Sequence, residues 1–162
     1  MVCDVIKMNL FFFNLITSSF DIMFNGRKKI VGKPEEELLV YNIRLGIIGC
    51  RNFTDYKVFS NEINQYIKYI GIEEKDIGLI VSGGPNGADH MAEIWSVEKE
   101  KEIKVYYPNL SYGNRGFAIR NKQIVNLSTH LIAFPSKNGK GTKIIIKMAK
   151  HKKLNIKVVI ID

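Results

Sequence analysis

The sequence predicts an α/β fold: a three-layer sandwich built on a five-stranded parallel sheet, in strand order 3-2-1-4-5. Three observations predict it. Short apolar runs rich in β-branched residues recur along residues 43–161. Stretches with apolar residues at helical spacing separate them. Glycine-bearing turns follow the first, second and fourth runs. Such alternation specifies parallel strands joined by right-handed crossovers, a Rossmann-like arrangement with helices on both faces.

The elements follow in order. Ile43–Ile48 reads as the first strand, ending at Gly49. Thr54 or Asp55 can cap a helix running to Ile70, with Phe59, Ile63, Tyr66, Ile67 and Ile70 on one face and Gly71 as its stop. Ile77–Val81 is the second strand. Ala88, Met91, Ala92 and Trp95 recur at i, i+3, i+4 and i+7 and mark the second helix. Ile103–Tyr107 is the third strand, closed by Pro108, and the polar loop 109–116 leads to a helix over about residues 117–127. His130–Phe134 is the fourth strand, Thr142–His151 the last helix and Ile156–Ile161 the fifth strand.

Residues 1–42 read as an N-terminal extension and linker, and 43–162 as the domain. The stretch 8–24 is apolar but interrupted by Asn9, Asn14, Thr17, Ser18, Ser19 and Asp21, and falls short of the ~20 apolar residues of a spanning helix. Asp4 and a single Lys7 make a poor signal-peptide start, and no small-residue cleavage site follows. A weak membrane or partner anchor is the minority reading. Residues 25–42 are polar with Pro34 among them, and Leu38–Tyr41 is either an added edge strand or the approach to the core.

The chain of 162 residues is 46% hydrophobic and 25% charged, which are globular values that exclude a disordered or fibrous chain. Two cysteines, Cys3 and Cys50, exclude a disulfide framework, and no Cys/His cluster suggests a metal site. The expected setting is cytoplasmic, with no membrane partner and no bound cofactor. The net charge of +8 favours phosphate-bearing partners, although most of the lysines should be solvated surface.

In an open α/β sheet the ligand crevice lies at the carboxyl ends of the strands. Three strand-end turns there carry glycines: Gly49-Cys50-Arg51, Ser82-Gly83-Gly84-Pro85-Asn86-Gly87-Ala88-Asp89 and Asn138-Gly139-Lys140-Gly141-Thr142. Glycines let backbone approach a ligand, and a following helix N-terminus favours an anion. Each turn alone also has a plain explanation in backbone geometry; three converging on one crevice suggest a nucleotide-type ligand. No G-x-G-x-x-G follows the first strand and no P-loop occurs, which argues against a standard dinucleotide site or an ATPase.

These residues resemble a family. G-C-R-N-F-T-D-Y (Gly49–Tyr56), S-G-G-P-N-G-A-D-H-M-A-E (Ser82–Glu93), I-R-N-K (Ile119–Lys122) and G-K-G-T (Gly139–Thr142) are similar, in this order, to the signature of the SLOG superfamily, its YspA-like, YpsA-related group in particular. The resemblance spans nearly all of 43–161 and leaves 1–42 uncovered. It implies a Rossmann-like domain that binds nucleotides or nucleotide-derived ligands, as a sensor or a nucleotide-processing protein. It assigns the ligand to Gly49, Arg51, Ser82, Gly83, Gly84, Gly87, Asp89, Glu93, Arg120, Asn121, Gly139, Gly141 and Thr142. Arg120 is expected to open its helix beside the crevice. Asp89 would face a ribose or brace the loop; Glu93, one turn on, would reach the ligand, pair with a neighbour or face solvent.

The chain departs from the family pattern in three places. Cys50 stands where serine is usual, and its plain role is to fill a small slot. Pro85-Asn86 replaces Ala-Arg, removing one arginine. Ile145 stands where the more distantly similar Lonely Guy phosphoribohydrolases carry a glutamate, and isoleucine cannot transfer a proton. Nucleoside-phosphate N-glycosidic hydrolysis is therefore the weaker alternative; whether a ligand is turned over stays open, no catalytic residue is assigned, and self-association is not decided. The competing class is single-stranded nucleic-acid binding, because Arg120–Ser128 also resembles DNA-processing protein A. His90, His130 and His151 lack an acid–serine pattern, and Met91 and Trp95 read as core.

Overall fold

The computed structural model describes residues 21–24 and 27–30 as backbone, and 34–84 and 86–161 in full. The expectations for residues 8–20 and Pro85 fall outside them. The chain runs β1 (Asp21–Phe24), β2 (Arg27–Ile30), α1 (Glu35–Leu38), β3 (Ile43–Gly49), α2 (Tyr56–Tyr69), β4 (Ile77–Ser82), α3 (Ala88–Glu98), β5 (Glu102–Val105), α4 (Asn114–Leu127), β6 (His130–Phe134), α5 (Lys140–His151) and β7 (Asn155–Val158). The strands form one sheet in the order β1-β2-β5-β4-β3-β6-β7. Its five central strands, β5-β4-β3-β6-β7, are all parallel and reproduce the predicted 3-2-1-4-5 order. The antiparallel pair β1–β2 extends the sheet at the β5 edge, β2 running parallel to β5 with Lys29 opposite Ile103.

Side-chain alternation along the strands divides the core in two. Leu45 and Ile47 of β3, Ile80 of β4 and Ile132 of β6 pack with Phe59, Ile63, Met91 and Trp95 from α2 and α3. Ile48, Leu79, Val81, Leu131 and Ala133 face the other way, onto Ile124 and Val125 of α4 and Ile145 and Ala149 of α5. Helix α2 is capped as predicted: Asp55 accepts from the Val58 amide at 2.9 Å.

The stretch expected to be a linker contributes more than a tether. Leu38, at the end of α1, is fully buried in the second cluster, and Tyr106 donates to Glu35 Oε1 at 2.7 Å. Leu38–Tyr41 is the approach to the core rather than an edge strand. Tyr41 lies against Gly78, where a Cβ would come within 2.5 Å of its ring. Arg44 locks this approach, donating from Nε to the Leu127 carbonyl at 2.6 Å and from Nη1 to the Tyr41 carbonyl.

Several boundaries differ from those read in the sequence, among them the last helix, which begins at Lys140 rather than Thr142. Helix α4 begins at Asn114, so Arg115 and Gly116 are helical and not loop. The turn into it is made by Gly113 at φ +54°, with no side-chain cap to mark the start. Helical Gly116 packs on the Asn109 carbonyl, which a Cβ would meet at 2.1 Å. The third core strand stops at Val105, and the fifth covers Asn155–Val158, with Ile161 making a separate bridge to Ser136.

Candidate functional site

A cleft of about 570 Å³ opens at the carboxyl ends of β3 and β6, between the first turns of α4 and α5. The topology dictates its position. β3 and β6 are hydrogen-bonded neighbours, Gly49 pairing with Phe134, and the turns after them lead away into helices on opposite faces of the sheet.

Eight of the thirteen residues assigned from the sequence line this cleft: Gly49, Arg51, Asp89, Arg120, Asn121, Gly139, Gly141 and Thr142. The other five do not, and they occupy the layer behind it. Gly83 lies under Arg120, a Cβ there falling 2.2 Å from Nη1. A Cβ at Gly84 would stand 3.8 Å from Asp89 Oδ2. Gly87 has φ +60° and touches the turn after β3, its Cβ position only 2.0 Å from the Cys50 carbonyl. Ser82 is fully buried and donates from Oγ to the Asp89 carbonyl at 3.3 Å. Glu93 is one turn further along α3, where its charge acts on Asp89 without lining the cleft.

Arg120 sits in the second turn of α4 rather than at its opening, because the helix starts three residues before the predicted 117. The shift has a consequence for the cleft. Asn114, Phe117 and the pair Arg120–Asn121 fall three to four residues apart, so one face of α4 lines the cleft from its first turn inward. Asn114, Phe117 and Ala118 were not assigned from the sequence. Their spacing to Arg120 was the available signal, and it depended on placing the helix start. Ile48 of β3, Asn52 after it, Ser136 after Pro135, and Ile144 and Ile145 of α5 line the rest of the wall. Cys50 both lines the cleft and packs against the first core cluster.

The electrostatics centre on Asp89 and Arg120. Burial pushes the Asp89 carboxyl up to about 7, outweighing the opposing pull of Arg120, the Gly49 backbone and Arg51; the charge of Glu93 adds to the rise. Arg120 is lowered by burial, with Arg51 adding to the effect and Asp89 opposing it. Three polar atoms of the cleft are buried with no hydrogen-bond partner: Asp89 Oδ1, Arg120 Nε and Asn121 Oδ1. Helix α5 starts against the same cleft at Gly139 with no side-chain cap, so its first-turn amides retain donor capacity. A Cβ built at Gly141 meets no atom within 4 Å. The arrangement therefore offers two guanidinium groups and a helix N-terminus as donors, and a carboxyl and an amide oxygen as acceptors.

The remaining candidates fall elsewhere. His130 begins β6 at the opposite end of the sheet, its Nδ1 3.0 Å from Thr129 Oγ1, and burial lowers its pKa. His90 and His151 are exposed. Met91 and Trp95 are core residues, as read. Among the described residues no group of three or more His, Cys, Asp or Glu side chains comes together, and no helix is long and apolar enough to cross a membrane.

No protein-family model and no curated protein matches the chain. Among solved structures it is similar to the X-ray structure of DNA processing protein A from Streptococcus pneumoniae, with a TM-score of 0.57 and 16% identity. The similarity covers 75% of this chain and 51% of that one, so the chain spans about half the length of that protein. At this identity what the two share is the fold, which in this chain is an α/β domain whose five central strands form a parallel sheet in the 3-2-1-4-5 order.

Proposed function

We propose that the cleft binds a nucleotide or nucleotide-derived ligand through its phosphate, as in a sensor or nucleotide-processing protein of the SLOG type. The observation that carries this reading is the cluster of buried, unpartnered atoms on Asp89, Arg120 and Asn121 beside the uncapped start of α5. A buried polar group without a partner costs about 1–3 kcal/mol, and three in one cleft point to a ligand that supplies their partners. Arg51, Arg120 and the α5 amides suit phosphate oxygens, since a guanidinium binds two oxygens at once. Asp89 and Asn121 offer acceptors to the hydroxyls of a ribose. The family resemblance over 43–161 supports the same reading, and a cytoplasmic setting accords with it. Chemistry on the ligand is not part of the proposal: the position of the phosphoribohydrolase glutamate is Ile145, which is buried at the cleft wall.

Mass spectrometry of small molecules released from the purified protein tests this directly. A phosphorylated nucleoside derivative retained by the wild type and lost from Arg120→Ala supports the reading. Retention of the same compound by both proteins contradicts it.

A second reading, single-stranded nucleic-acid binding, is favoured by the net charge of +8 and by the fold shared with a DNA processing protein. Filter binding with a salt titration separates the two. A nucleic-acid binder loses affinity steeply and log-linearly with salt, whereas a small ligand held in the cleft responds weakly.

A further inference from the structure

The same cleft supports a regulatory inference, which rests on the anion reading above. Asp89 and Arg120 both line the cleft wall, and each carries a buried atom with no hydrogen-bond partner. The groups that act on Asp89 come from four elements: Arg120 from α4, Arg51 from the turn after β3, Glu93 from α3 itself and the Gly49 backbone from β3. An oxyanion that enters meets the guanidinium groups of Arg51 and Arg120 beside the first-turn amides of α5. The Asp89 carboxylate already acts on both. Ionised, it competes with the ligand for their positive charge and repels the ligand's own. Protonated, it does neither, and its O–H becomes a hydrogen-bond donor at the cleft wall.

We propose that the cleft takes up a phosphate-type oxyanion together with one proton from solvent, bound at the Asp89 carboxyl. Without the anion Asp89 is the internal counter-charge of Arg120. With the anion in place, the ligand takes over that role and Asp89 becomes a neutral hydrogen-bond donor beside it. The bond formed is O–H on Asp89, the proton comes from water or buffer, and no bond in the ligand changes. Burial holds the carboxyl near neutrality, so the exchange falls in the physiological range. The cleft then couples ligand occupancy to pH, tighter in acid and weaker in base.

Sulfate is the probe, because its charge does not change across neutral pH. Titration of the full chain should give an affinity that is flat below about pH 6 and declines above about pH 7, approaching tenfold per pH unit. Asp89→Asn should flatten this profile and bind sulfate more tightly than the wild type at about pH 8.5. His90→Asn should leave the wild-type profile in place, which removes the exposed neighbouring histidine as its source. Calorimetry on the wild type in two buffers of different ionisation heat should count close to one proton taken up per sulfate at about pH 8, and it needs no variant to fold. Binding that is independent of pH, with no proton uptake, overturns the coupling and leaves the anion site standing. Sulfate that fails to bind at any pH overturns both.

Discussion

Gly83 and Arg120 are in direct contact: the Cα of Gly83 supports the guanidinium so closely that a Cβ would lie 2.2 Å from Nη1 and 2.7 Å from Ile124 Cδ1. The glycine turn after β4 and the arginine of α4, read in the sequence as two separate ligand motifs, are thus one assembly. The turn acts as the floor on which the arginine is held toward the cleft.

Gly83→Ala should therefore displace the guanidinium. Overpacking of this kind costs about 1–3 kcal/mol, part of it relieved because a flexible side chain can move. Urea denaturation should show a loss in that range. Sulfate affinity should fall together with it, since the guanidinium leaves its position. Unchanged affinity would separate the turn from the site.

Gly87 makes a stricter demand. Its φ of +60° and ψ of −132° suit glycine, and a Cβ would sit 2.0 Å from the Cys50 carbonyl, a backbone atom that cannot swing away. Gly71 has a similar φ of +71° but nothing within 4 Å of its Cβ position. Backbone strain alone costs on the order of 1–3 kcal/mol. Gly71→Ala should lose about that much, and Gly87→Ala clearly more, in paired chemical denaturation.

Stability should also depend on pH through Asp89. Its folded-state value, about 7, lies above the ordinary aspartate value of 3.8, so the folded chain binds this proton more tightly than the unfolded one. The resulting stabilisation is fully present below about pH 4 and is lost as pH rises through about 7. Asp89→Asn removes that slope. The variant should gain on the wild type as pH is raised from about 4.5 to 8, read from urea midpoints at each pH. A constant difference between the two would show that the carboxyl ionises as freely in the fold as outside it.

The N-terminal boundary is tested by Leu38. It is fully buried, and leucine-to-alanine substitutions in cores cost about 2–5 kcal/mol. Leu38→Ala should lower the melting midpoint accordingly. Residues 43–162 are proposed to fold as a unit, but without Leu38 and Tyr41 they should melt below a chain beginning at residue 34. Equal midpoints would make the contact with α1 energetically empty.

The parts of this fold that were legible in the sequence are those fixed by short-range pattern. Ile43–Gly49, Ile77–Ser82 and His130–Phe134 are runs that a buried parallel strand requires, and their order in the sheet follows from the connections between them. The start of α4 was not legible, because Gly113 turns the chain by a positive φ and leaves no capping side chain as a signal. Missing it moved Arg120 by a turn and concealed Asn114 and Phe117 as wall residues. The sheet extension at Asp21–Ile30 was not legible either: only four residues pair on each side, and the partner edge, β5, lies far away in sequence. Of the cleft, Arg51, Asp89, Arg120, Asn121 and Thr142 could be read from the motifs, whereas Asn52, Asn114 and Ser136 could not. The division between the residues that line it and those that support it could not, since Gly83, Gly84 and Gly87 read in the sequence as the same kind of turn glycine as Gly139 and Gly141 and are told apart by their surroundings and, at Gly87, by a positive φ.

The central claim is that Arg120 holds the phosphate of a nucleotide-type ligand in the cleft between α4 and α5. Calorimetric titration of wild type and Arg120→Ala with a panel of nucleoside phosphates tests it most directly. A charged hydrogen bond contributes about 1.5–3 kcal/mol, so the variant should bind any nucleotide that the wild type holds roughly ten- to a hundredfold more weakly, with its melting transition retained. Equal affinity in the two proteins, or no affinity of the wild type for any nucleotide in the panel, would contradict the account.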